Sequence, residues 1–141
     1  LKCILPVSMI TSVMLAACAS VSSAGNEATI NQKDAADLAK RLDNRIAGTP
    51  EKCVSASRLG QPVVYGSQTI IYSGSGRTAY LNNLPSRCPG LDDDDFILTR
   101  RSGAQLCKGD PIEPVDRFTG FSGPICRLGE FIPYTKPKKP R

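Results

Sequence analysis

Cysteines and carboxylates are the residues of this 141-residue chain best suited to chemistry. Cys53, Cys88, Cys107 and Cys126 form an even set spread over residues 53–126. Four thiols can close two disulfides, remain free, or hold a metal. No Cys-x-x-Cys pair occurs, and without histidine a structural zinc would need all four thiolates. Disulfides are therefore expected, in one of three pairings. Cys53 and Cys126 bracket the region, which favours a nested arrangement, Cys53–Cys126 outside Cys88–Cys107. The inner bridge would close a loop of about 20 residues, worth about 3 kcal/mol in the chain-entropy description.

The absence of histidine removes Ser-His-Asp and Cys-His nucleophiles and any histidine general base. There is no Ser-x-x-Lys, no Walker loop and no dinucleotide fingerprint. Gly74-Ser75-Gly76 reads as a turn between two strands rather than a phosphate cradle. Asp92-Asp93-Asp94-Asp95 is the densest charge cluster. Four adjacent carboxylates on an extended loop cannot all face one ion, and the alternate ligands of an EF-hand are missing. The run reads as a solvated loop, with a loose calcium site or an acidic docking patch as alternatives. Paired carboxylates for glycan cleavage would have to come from Asp95, Asp110, Glu113, Asp116 and Glu130, and sequence offers no spacing test for them. The chain is therefore expected not to be an enzyme, with no cofactor and no metal.

Lys2 precedes Ile4 to Ala17, a stretch almost entirely apolar or small. That is the pattern of a secretory signal, and it is too short to span a bilayer, which takes about 20 apolar residues. Leu15-Ala16-Ala17-Cys18 resembles the lipobox of bacterial lipoproteins. The resemblance implies cleavage before Cys18, diacylglycerol on its sulfur and acylation of the new N-terminus. Ala19, where an inner-membrane lipoprotein has Asp, implies the outer membrane. Two or more acyl chains anchor stably where one binds only marginally. The alternative is an ordinary signal cut at Ser22-Ser23-Ala24, leaving a soluble periplasmic protein. Either address is oxidising, which suits disulfides.

The chain has 18 basic and 13 acidic residues, and Lys136, Lys138, Lys139 and Arg141 crowd its last six positions. Positive charge thus belongs to the tail rather than the body. No basic helix or aromatic platform supports nucleic-acid binding. The tail could instead contact anionic envelope phosphates or carboxylates.

These residues sit on the following expected frame. Residues 1–17 are the signal, 18–30 a Ser/Ala/Gly-rich tether, 31–48 a helix, 53–135 a cysteine-framed β domain, and 136–141 a disordered basic tail. Asn31 is a good helix cap and Asp34 a favourable first-turn charge. Ala35, Leu38, Ala39, Leu42 and Ile46 follow at helical spacing, Asp37 can pair with Arg41, and Gly48 and Pro50 end the run. From Cys53 the pattern is short strands: 63–65, 69–73, 77–81, 96–100, 105–107, 112–115 and 131–134. Pro114 and Pro133 place their strands at edges or bulges. The fold class is α+β, mostly β: one amphipathic helix, then a small antiparallel sandwich or barrel stapled by two disulfides.

Cys53, Cys88-Pro89-Gly90-Leu91, Leu106-Cys107-Lys108-Gly109-Asp110-Pro111-Ile112 and Cys126-Arg127-Leu128-Gly129-Glu130-Phe131 resemble, in this order, a domain-of-unknown-function family of small bacterial secreted or lipid-anchored proteins. The resemblance covers residues 53–134 and implies one module without an established activity. The reading is a lipid-anchored cell-envelope protein, membrane-bound through Cys18, facing the periplasm. It acts as a non-catalytic binding or structural module toward an envelope protein or anionic envelope polymer. A carboxylate-based cell-wall enzyme is the remaining rival.

Overall fold

The computed structural model describes residues 30–101 and 103–138. The signal, the lipobox with Cys18, the tether up to residue 29, and Lys139 and Arg141 lie outside the described residues.

Helix α1 spans Gln32–Leu42. Asn31 caps it, its side-chain oxygen accepting the Asp34 N–H at 2.8 Å. The helix stops earlier than the expected end near residue 48. Asn44 turns to a left-handed φ of 55°, which asparagine tolerates. Ile46–Ala47 then forms strand β1 against Thr135 and Tyr134. Ile46 continues the helical spacing, but pairing with a distant strand claims its backbone, and its side chain stays 66% exposed.

The other strands are β2 (Cys53–Ser55), β3 (Leu59–Tyr65), β4 (Thr69–Gly74), β5 (Thr78–Asn83), β6 (Phe96–Thr99), β7 (Gln105–Cys107), β8 (Pro111–Val115), β9 (Cys126–Arg127) and β10 (Phe131–Thr135). All pair antiparallel. A five-stranded sheet runs β1-β10-β5-β4-β3, beside a β2-β7 ribbon and a three-stranded β6-β8-β9 sheet. The strands do not close into a barrel. The expected hairpin around Gly74-Ser75-Gly76 is the β4–β5 pair.

Strand alternation divides the core. Ile70, Tyr72, Tyr80 and Phe131 face one side of the large sheet, with Val54, Leu106, Ile112 and Leu128 from the smaller sheets and the loop after β9. Ile71, Ala79 and Leu81 face the other side, beneath Leu38 and Leu42 of α1. The helix therefore packs on its own domain. Among the described residues, no helix is long and apolar enough to cross a membrane.

The strands of Pro114 and Pro133 are not edges, since β8 lies between β6 and β9, and β10 between β1 and β5. Each proline sits instead at a register irregularity, the bulge alternative. Ile112 pairs with Cys126 but Val115 with Ser122, and Phe131 pairs with Glu51 but Thr135 with Ile46, a one-residue shift in each case. The Pro114 carbonyl accepts from Gly123 and the Pro133 carbonyl from Gly48, both at 2.7 Å. One expectation needs correction: the disulfides are crossed rather than nested, Cys53–Cys107 and Cys88–Cys126. The reason is strand pairing. Cys53 lies directly opposite Cys107 across β2 and β7, while Cys126 sits in the other small sheet, opposite Ile112.

Candidate functional site

Strand β6 alternates in exposure, so Phe96 and Leu98 face outward on the small sheet. The β8–β9 loop adds Phe118 and Phe121, exposed to 82% and 78%, and Ile125. Five of the six large apolar side chains exposed among the described residues lie between positions 96 and 125. Scattered single apolar residues are ordinary on a surface, whereas these five are concentrated on one small sheet and its loop.

The loop is internally built. The Asp116 carboxylate accepts the Phe118 N–H at 2.8 Å and the Thr119 N–H at 2.6 Å. The Asp116 N–H donates to the Phe121 carbonyl at 2.9 Å. These bonds, from Thr119 first and then Phe118, hold the Asp116 carboxyl below its ordinary range. The Cys88–Cys126 bridge ties the far end of the loop to a fully buried sulfur. The Arg117 guanidinium sits 4.8 Å from the centre of the Phe96 ring, within cation–π range.

The acidic run faces this loop. A cleft of about 620 Å³ opens between them, lined by Leu91, Asp92, Asp94, Asp95, Phe118 and Phe121 among others. Asp95 accepts the Asp92 N–H at 2.9 Å, and Asp92 accepts the Asp93 N–H at 2.8 Å. A side-chain hydrogen bond with Asp92 raises the Asp93 carboxyl, with burial and the charge of Asp92 adding to it. The acidic run is thus a shaped wall of the cleft. Among the described residues, no three His, Cys, Asp or Glu side chains are grouped to hold a metal ion.

A second surface has the opposite charge. Lys40, Arg41, Arg45 and Lys136 line a groove of about 330 Å³ between α1 and the hairpin end of the large sheet, with no carboxylate in its walls. Arg45 donates to the carbonyls of Arg41, Arg77 and Tyr134, which locks the helix end onto the sheet. Arg41 bonds Asp37 at 3.1 Å. The basic tail therefore begins inside a basic groove: Lys136 lines it and Lys138 follows, exposed.

The carboxylates considered for glycan cleavage are dispersed. Asp110 accepts the Cys107 N–H at 2.7 Å. Glu113 pairs with Arg100 at 3.3 Å and Glu130 with Lys108 at 3.0 Å. Asp95 and Asp116 share the large cleft, but both are engaged by backbone N–H groups. Phe118, Phe121 and Arg117 were not singled out by sequence. The signal was two phenylalanines inside a Gly-rich stretch, Phe118-Thr119-Gly120-Phe121, with no strand alternation to bury them.

A family model matches residues 2–136. The chain belongs to DUF6491, a family of unknown function. The match reaches well outside the 53–134 region that carries the sequence resemblance, so the helix and most of the N-terminal stretch are part of the DUF6491 pattern. No curated protein and no solved structure matches the chain.

Proposed function

We propose that this DUF6491 protein is a lipid-anchored envelope protein, tethered through Cys18 to the outer membrane and facing the periplasm. It binds a partner protein through the acidic, aromatic lobe and catalyses no reaction. The observation that carries the binding role is the exposed Phe118 and Phe121 on a loop braced by Asp116 and by the Cys88–Cys126 disulfide. A braced apolar loop loses little conformational freedom on binding. The two disulfides and the lipobox support the extracytoplasmic address.

The test has two parts. Cys18→Ser should move the protein from the membrane fraction to the soluble periplasm and remove acyl mass. Phe118→Ser with Phe121→Ser should abolish chemical cross-links to neighbouring proteins while leaving anchoring unchanged. An unlipidated wild-type chain would overturn the anchor, and unchanged cross-links would overturn the lobe.

The basic groove supports a second reading, contact with an anionic envelope polymer, because Lys136 joins Lys40 and Arg45 there without an opposing carboxylate. Such binding is screened by salt. Removing residues 136–141 should weaken low-salt co-sedimentation with anionic envelope fractions, and no change would dismiss this reading.

A further inference from the structure

Resting on the reading of the lobe as a binding surface, we propose that its partner is a second copy of this protein, which brings its basic groove to the lobe.

Charge selects this occupant. Asp92, Asp94, Asp95 and Asp116 line the lobe's cleft, with Arg117 as the one cation in its wall. The groove carries Lys40, Arg45 and Lys136, with Arg41 already paired to Asp37, and no carboxylate in its own lining. Lobe against lobe or groove against groove would juxtapose like charges, which costs several kcal/mol at an interface. Lobe against groove pairs opposite signs, and opposite signs also steer the encounter.

The two surfaces are neighbours on one domain: Val63 of β3 lines the groove and also a cavity of about 640 Å³ that it shares with Asp95, Phe96 and Arg117 of the lobe. Each copy thus presents both charges side by side, and two copies related by a two-fold axis set lobe against groove twice, which closes the pair as a dimer.

Zero-length carbodiimide cross-linking, which joins carboxylates to lysines, tests this on the full-length protein in its own membranes. Two copies carrying different epitope tags are expressed together, cross-linked dimers are captured through both tags, and their peptides are read by mass spectrometry. The expected result is a dimer that carries both tags. Its cross-linked peptides should join residues 92–95 to Lys40, Lys136 or Lys138, and high salt should suppress them. Asp92→Lys with Asp94→Lys, or Lys136→Glu with Lys138→Glu, should each reduce the dimer at least about tenfold, the effect of one close interfacial charge pair. Both variants in one membrane should restore it. Neutral variants, Asp92→Asn with Asp94→Asn, serve if a reversal impairs folding, which intact disulfides report. Cross-links from the acidic run only to a different protein would overturn self-assembly and leave the lobe as a binding surface. Monomer alone, with no adduct sensitive to Phe118 and Phe121, would overturn both.

Discussion

The side chain of Asn82 pairs with both backbone groups of Gly129. Its Oδ1 accepts the Gly129 N–H and its Nδ2 donates to the Gly129 carbonyl, each at 2.9 Å. The pair imitates a strand ladder where the chain turns back toward β10. Both residues are buried, Asn82 completely. The approach is close enough that a Cβ on Gly129 would lie 1.9 Å from the Asn83 carbonyl oxygen. Asn82→Ala strands a buried donor and a buried acceptor, so it should lower stability by about 2–4 kcal/mol. Gly129→Ala should destabilise at least as much by forcing β5 and the loop apart. Urea unfolding measures both, and a midpoint unmoved by Asn82→Ala would refute the role of the pair.

Tyr72 predicts the reverse. Among the described residues its hydroxyl is buried without a hydrogen-bond partner, and burial pushes its pKa up from the ordinary phenol value. The ring itself packs with Phe131, centroids 5.9 Å apart. Tyr72→Phe keeps the ring and removes the unpaired group, so stability should hold or rise by about 1 kcal/mol. A loss of that size would mean that the hydroxyl has a partner in solution.

The helix is strapped to the sheet by Asp37, which accepts from the Tyr65 hydroxyl and from Arg41. The Tyr65 hydrogen bond, and then the Arg41 bond, hold the Asp37 carboxyl below its ordinary 3.8. Burial first, and then the bond to Asp37, push Tyr65 from 10.0 to about 12. A depressed carboxyl stabilises the fold above its unfolded pKa, and that contribution goes as pH falls through the folded value. A raised phenol stabilises fully below pH 10.0 and loses its contribution as pH rises toward about 12. Tyr65→Phe should therefore flatten the alkaline loss of stability in that window and blunt the acid limb. Thermal midpoints scanned against pH decide it, and an alkaline limb identical to wild type would exclude the strap.

Peptide mapping without reduction should find residue 53 linked to 107 and residue 88 to 126. A 53–126 peptide would contradict the crossed pairing. The bridges span 54 and 38 residues, and replacing either pair by serine should cost about 4 kcal/mol in the chain-entropy description. Accessibility separates them. Cys53 is exposed and Cys88 fully buried, so mild reductant should open Cys53–Cys107 first, read by alkylation.

What the sequence could and could not convey follows from the range of the forces. The β4–β5 hairpin was legible because alternating Ile70, Ile71 and Tyr72 and the Gly74-Ser75-Gly76 turn act within a few residues. The Asn31 cap and the Asp37–Arg41 pair are equally local. That four cysteines form two bridges followed from their number and the absence of histidine. Which ones pair depends on β2 meeting β7, a contact between segments 54 residues apart. The helix end was misplaced for a similar reason: Ile46 satisfies the helical spacing, and only β10 shows why it leaves. The lobe was least legible of all, since phenylalanine in a sequence reads as core, and the exposure of Phe118 and Phe121 is set by a turn that Asp116 builds.

That turn is the last element to test. Asp116 accepts two backbone N–H groups at the tip of the lobe loop, and these bonds are why its carboxyl stays ionised below the ordinary range. Its side-chain bonds stay within the loop, so its loss should free the loop without unfolding the domain. Asp116→Ala should accelerate amide exchange at Phe118, Thr119 and Gly120 and leave the unfolding midpoint in place. Asp116→Asn keeps the accepting oxygen and should fall between that variant and wild type. Because the folded carboxyl is depressed, the bonds persist below the unfolded pKa and fail as pH drops through the folded value. The amide shifts of Phe118 and Thr119 should follow that titration in the wild type and stay flat in Asp116→Ala. Equal exchange in wild type and Asp116→Ala would show that the disulfide alone fixes the loop, and the bracing would then rest on Cys88–Cys126.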